Sequence, residues 1–275
     1  MPRSRMPGLA RSLTPFLLLL CVPCRGGVVL SSAPISVENG IGPLLASVAD
    51  RDETRCAELA ELPGAFVCCS RNKALMNRAF SRMSIFMGGL AKWPHGSLPA
   101  DGSPIVKWAR DAVQGNNLPG RVLIDFAAKQ TRPTRAEQEV LDVFGKVAKT
   151  RGENFYVIAI ASGAAVAPYK VAVSHEILHA QYLLSPGMKP IVDRFWKETM
   201  TGDERREIYS LLKGSYNVDD DAILIDETQA FLLMDGAENF QLRKFALGDA
   251  GRRDLRSLLL RGLEAARITP LQVLQ

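Results

Sequence analysis

Residues 174–182 read Ser-His-Glu-Ile-Leu-His-Ala-Gln-Tyr, and within them His175-Glu176-Ile177-Leu178-His179 has the spacing H-E-x-x-H. No Pro or Gly interrupts Val171 to Leu184, so the stretch reads as a single helix. Positions four apart lie on one helix face, which lets both imidazoles converge on one zinc ion. Glu176, next to the first of them, reaches a water on that ion without occupying a ligand position. A carboxylate placed there can take a proton from the water and later pass it to a leaving amine. The chain holds only three histidines, and chance would put two of them in this pattern with a probability on the order of 10⁻³. The plainer alternative is a surface helix with two solvated histidines. It leaves the apolar neighbours Ile177 and Leu178 unexplained.

A catalytic zinc takes three protein ligands and keeps one position open. A third histidine in the usual continuation would need a glycine at 182 and a histidine at 185, where the chain has Tyr182 and Ser185. His95, the remaining imidazole, lies in Trp93-Pro94-His95-Gly96, which reads as a loop. A downstream carboxylate is therefore the arrangement to seek. Asp219 to Asp221 can cap a helix from Ala222 to Met234. On that helix Glu227 has Ile223 and Leu224 behind it and Ala230, Phe231 and Met234 ahead, all on its face. A carboxylate in such a stripe is costly to bury unless paired or metal-bound. Glu198 and Glu207 lack the stripe; Asp226 shares part of it but faces Gln229. Glu227 is the expected third ligand, with pairing to an arginine as the alternative.

Working outward, Phe155–Ala161 reads as a strand, and Ser162–Lys170 as a loop or a further strand. Arg121–Ala127 also reads as a strand. Thr134-Arg135-Ala136-Glu137 and Thr201-Gly202-Asp203-Glu204 have capping-box spacing and open helices running to about Lys149 and Lys213. Ser103-Pro104 resembles the start of a helix reaching Gln114. Gly115-Asn116-Asn117-Leu118-Pro119-Gly120 reads as a loop and a subdomain boundary. Leu255, Leu258, Leu259 and Leu263 recur at helical spacing near the end. Residues 27–118 are expected to form a helical region, with Met76, Met83 and Met87 as core; a pro-segment is the other use for them.

The formal charge of +5 comes from 34 Lys+Arg against 29 Asp+Glu. Arg3, Arg5, Arg11 and Arg25 lie within the first 33 residues, which hold no acidic group. Without them the chain is nearly neutral, which argues against nucleic acid as a partner. Those arginines flank Phe16-Leu17-Leu18-Leu19-Leu20-Cys21-Val22, a run too short to span a membrane. The pattern is that of a secretory signal over residues 1–26, ending as late as Ala33; lipidation at Cys21 or Cys24 is a minor branch. Export to an oxidising compartment would allow a disulfide from Cys56 to Cys68 or to Cys69. Three buried reduced cysteines are the competing reading.

On His175-Glu176-Ile177-Leu178-His179 together with Asp226-Glu227-Thr228-Gln229-Ala230-Phe231, the chain resembles the gluzincin branch of the zincin metallopeptidases over residues 155–234. The resemblance implies an α+β fold, mostly helical with a small sheet, and a metal site between two helices. It implies Zn2+ held by His175, His179 and Glu227, with Glu176 as the general base that activates a zinc-bound water against a peptide carbonyl. Residues 119–275 would form the catalytic region, either separate from the one before it or continuous with it as one domain. An edge strand, Phe155–Ala161 or Ser162–Tyr169, would align a peptide or protein substrate. Two positions depart from the family's habit: Phe231 stands where an Asp often orients the first histidine, and Gln181 where a hydrophobic residue is usual. Tyr169, Tyr182, Tyr216 and His95 are the candidates for stabilising an oxyanion. Two other classes compete: a zincin-like metal-binding protein without turnover, and a helical adaptor without metal.

Overall fold

The computed structural model describes residues 27–88, 93–113, 115–130, 132–162, 166–234 and 255–273, with main chain alone at 166–169. The expected export signal lies outside the described residues. Five strands form one mixed sheet: β1 (Val28–Leu30), β2 (Thr54–Leu59), β3 (Leu62–Ser70), β4 (Gly115–Pro119) and β5 (Tyr156–Ala161), in the order β1-β2-β3-β5-β4. β1 and β2 are parallel, as are β3 and β5; the β2–β3 and β4–β5 pairs are antiparallel. The class is thus α+β with one small sheet.

Three expectations are corrected here. Residues 27–118 are mixed rather than helical throughout: beside three helices they carry four of the five strands found among the described residues. β3 is covered on both faces, so its sequence lacks the apolar–polar alternation that marks a half-exposed strand. Phe66 and Cys68 face one layer of helices, while Ala65, Val67 and Cys69 face another. Secondly, Arg121–Ala127 belongs to a helix, α4 (Gly120–Lys129), which buries Val122, Leu123 and Phe126. Arg121 pairs with Asp125 one turn along its exposed side at 2.8 Å, so the run of β-branched and large residues has a helical period. Thirdly, Gly115–Pro119 is a strand rather than a loop, and β4 rather than β5 forms the edge. Its register against β5 supplies backbone partners that outweigh the turn preference of Gly-Asn-Asn.

Helices α2 (Lys73–Phe86), α4 and α5 (Arg135–Arg151) cover one face of the sheet with Met76, Phe80, Met83, Phe126 and Phe144. Met76 and Met83 are therefore core, as read. α1 (Ile41–Ala46) and α6 (Val166–Leu184) cover the other. A second layer packs beyond α6: α7 (Met188–Arg194), α8 (Gly202–Leu212), α9 (Asp221–Leu233) and α10 (Leu255–Ala265). Both capping boxes are complete, at Thr134/Glu137 and Thr201/Glu204. α3 (Pro104–Ala112) follows Ser103 as expected, although the Ser103 side chain makes no capping bond. Cys56 and Cys68 stand opposite each other on β2 and β3 and are joined by a disulfide, leaving Cys69 buried and free. Burial pushes the Cys69 thiol well above its ordinary pKa, so it stays an inert thiol. Among the described residues no helix is long and apolar enough to cross a membrane.

One buried ion pair ties α2 to α5. Arg82 Nη1 donates to both Glu137 oxygens at 2.9 and 3.1 Å, and its Nε donates to the Pro99 carbonyl at 3.0 Å. Removing one member of such a pair strands the other charge away from water, so Arg82→Met is expected to cost about 3–5 kcal/mol of unfolding free energy. Urea denaturation measures it; a loss below about 1 kcal/mol would place the pair in effectively solvated surroundings.

Candidate metal centre

α6 is apolar on two faces, and that is what aims its histidines. Val173, Ile177 and Ala180 pack on the sheet, while Leu178 and Tyr182 pack into the outer helical layer. A helix enclosed in this way is hydrophobic nearly all round, and its remaining stripe, His175 and His179, faces α9. The Asp220 side chain caps α9 by accepting from the Ala222 amide at 2.9 Å. Leu224, Ala230 and Leu233 bury α9 against the same layer, which turns Glu227 toward the imidazoles.

His175 Nε2 and His179 Nε2 are 3.1 Å apart, and Glu227 oxygens lie 3.3 Å from the first and 3.7 Å from the second. Tetrahedral zinc with bonds of about 2.0–2.1 Å sets its ligand atoms roughly 3.3 Å apart. The three side chains are therefore close enough to hold a metal ion, and they are the one such group among the described residues. Glu227 Oε2 is buried without a hydrogen-bond partner, as a lone pair reserved for a cation would be. The expected ligands are thus brought together, and Asp226 is not a competitor for the same position. Instead, Asp226 Oδ1 lies 2.9 Å from His179 Nδ1. Gln229 Nε2 donates to that Asp226 oxygen at 3.0 Å and to the Leu178 carbonyl at 3.2 Å. A proton on His179 Nδ1 toward Asp226 leaves Nε2 with its lone pair toward the centre.

His175 is supported differently. Neither buried Nδ1 completes a well-aligned hydrogen bond, but that of His175 also has no carboxylate contact like the one Asp226 makes with His179, and its ring packs against Phe231 with centroids 4.6 Å apart. Gln181 also has a local reason: its amide donates to the Thr269 carbonyl at 2.8 Å and its oxygen accepts from the Leu271 amide at 2.9 Å. With Ser174 accepting from the Val273 amide at 3.0 Å, it fastens the carboxy-terminal segment along α6.

Glu176 is not among the three, yet it lies beside them. A cleft of about 370 Å³ is lined by His175, Glu176 and Glu227 and by β4 residues Gly115, Asn116 and Asn117. Met87, Trp108, Ala112 and Val113 make another wall apolar. Asn117 Nδ2 donates to Glu176 Oε2 at 2.6 Å. Neither Asn117 nor Gly115 was visible as a site residue in the sequence, where both belonged to an apparent turn.

Of the four oxyanion candidates, Tyr216 lines the cleft together with Glu227. Burial, then the charges of Glu227 and Glu176, hold its hydroxyl protonated far above the usual tyrosine range. Tyr182 is spent elsewhere, donating to Asp193 at 2.8 Å and accepting from Lys189 at 2.9 Å. His95 is exposed and does not line the cleft. The Tyr169 side chain lies outside the described residues.

Burial would lower the His179 pKa, but Asp226 and Glu227 outweigh it and push it up to about 10. Burial would likewise raise Glu227, but the two imidazoles hold it below its ordinary value. In the metal-free protein His179 is thus protonated at neutral pH, whereas a metal ligand must be neutral. Because the folded pKa is raised, this pairing stabilises the metal-free protein fully below the unfolded value of about 6.5. The contribution is lost as the pH rises through about 10. Loading with a divalent metal ion near pH 8 is expected to release about one proton, with affinity rising as the pH rises. Calorimetry in buffers of different ionisation enthalpy measures this, and metal uptake without proton release would contradict it.

No protein-family model, no curated protein and no solved structure matches this chain.

Proposed function

We propose that this chain is a zinc-dependent peptidase of the gluzincin kind, in which His175, His179 and Glu227 hold the ion and Glu176 is the general base. The observation that carries the reading is the placement of Glu176. It is a carboxylate that ligates nothing, opening into the same cleft as the three ligand side chains and held there by Asn117. A purely structural metal site has no use for it. The ion's charge would acidify a water and polarise a carbonyl oxygen. Glu176 takes the proton from the attacking water and delivers it to the leaving amine. Tyr216, kept protonated, is the donor for the developing oxyanion.

The substrate is a peptide in extended form. β4 is an edge strand bordering the cleft, which suits backbone pairing with an added strand, and the wall of Met87 and Trp108 suits apolar side chains. The Cys56–Cys68 bridge supports an exported protein, since disulfides persist outside the reducing cytosol. A second reading, metal binding without turnover, is favoured by the unpartnered Nδ1 of His175 beside Phe231. Cleavage of fluorescein-labelled casein and of a mixed peptide library by the zinc-loaded protein separates the two. Full zinc occupancy without cleavage in either assay would establish the second reading.

A further inference from the structure

β4 alternates two kinds of contact. Asn116 and Leu118 point toward α2, and Asn116 is locked there by buried partners. Ser84 Oγ donates to its Oδ1 at 2.7 Å, and its Nδ2 donates to Asn77 Oδ1 at 3.0 Å. Asn77 in turn donates to the Arg110 and Val113 carbonyls at 2.9 and 3.0 Å. A satisfied buried network of this kind fixes the strand in place. Gly115 and Asn117, on the opposite face, both meet Glu176. Asn117 Nδ2 donates to Oε2 at 2.6 Å, and a Cβ at Gly115 would lie 3.1 Å from Oε1. One carboxylate oxygen is tethered and the other has just enough room because residue 115 lacks a side chain.

We infer that Asn117 is the positioning residue for Glu176, holding its carboxylate at the angle from which it serves the metal centre. The inference rests on the peptidase reading for its use, but its geometry is independent of turnover. The donated hydrogen bond fixes the orientation of the carboxylate in the cleft. It also restricts the rotamers of a long side chain that otherwise opens into the cleft. The lock on Asn116 transmits the rigidity of α2 and α3 to the base.

The test is a double-mutant cycle read by binding. The probe is acetohydroxamic acid, which chelates the metal while its acidic proton passes to the neighbouring carboxylate. In the zinc-loaded protein Asn117→Ala is expected to raise the dissociation constant about tenfold, and Asn117→Asp at least as much, since like charges then face each other. In a Glu176→Gln background the same changes should alter it by less than about twofold. Zinc affinity and thermal midpoint, measured alongside, show that the variants are folded and loaded. Equal losses in both backgrounds would show that Asn117 merely shapes β4, and no loss in either would remove it from the site; each overturns the inference. A zinc-loaded wild-type protein that does not bind the hydroxamate would overturn the peptidase reading itself, and this inference with it.

Discussion

Glu176→Gln is expected to keep about one zinc per chain and to lower casein and peptide cleavage by a factor on the order of 10²–10⁴. The exchange is isosteric, and a glutamine oxygen can still accept from Asn117, so the side chain keeps its place 2.6 Å from that amide. What disappears is basicity. The amide cannot take a proton from a water, and among the described residues no other uncommitted carboxylate lines the cleft. Glu227 is aimed at the imidazoles, and Asp226 is occupied by His179 and Gln229. Metal content is untouched because Glu176 is not one of the converging side chains. Cleavage that survives the change at full zinc occupancy would place the base elsewhere. Metal lost together with activity would instead make Glu176 a ligand.

The helix that carries this residue was legible because its signals are local. H-E-x-x-H, an unbroken apolar run and a rarity of histidine all lie within a dozen residues. Glu227 could be reached through a second local pattern, a carboxylate inside an apolar stripe. The two capping boxes and β5 were readable on the same grounds. The other half of the site was not legible, because its signals are tertiary. β4 presents Gly-Asn-Asn to the reader, a turn by local chemistry, and becomes a strand only because β5 offers a register and Ser84 and Asn77 absorb the buried amide of Asn116. β3 hid for a related reason: buried on both faces and rich in small residues, it carries no period-two pattern. Phe231 marks a position where the local rule and the structure diverge. The carboxylate expected there is absent, and the orienting role falls on Asp226, which serves the other histidine.

That exchange of roles sets up a comparison of two adjacent residues. Glu227→Ala removes one of the three proposed ligands and leaves two imidazole nitrogens 3.1 Å apart without the carboxylate that converges on both. Asp226→Asn keeps every ligand but replaces the acceptor at His179 Nδ1 with an amide whose hold on the tautomer is weaker. Loss of such an outer partner lowers metal affinity by about 10–100-fold, and loss of the ligand itself should exceed that range. Competition against a chelator of known affinity measures both. The metal-free state sharpens the contrast. Glu227→Ala takes away one of the three carboxylates that hold His179 protonated, so the proton released on zinc loading should titrate at lower pH in that variant. Weaker binding there would persist even after that competing proton has become easier to displace, which is the mark of a lost ligand. If Asp226→Asn proved the more damaging, the third metal ligand would be Asp226. The 2.9 Å contact to His179 Nδ1 would then have to break when the ion binds.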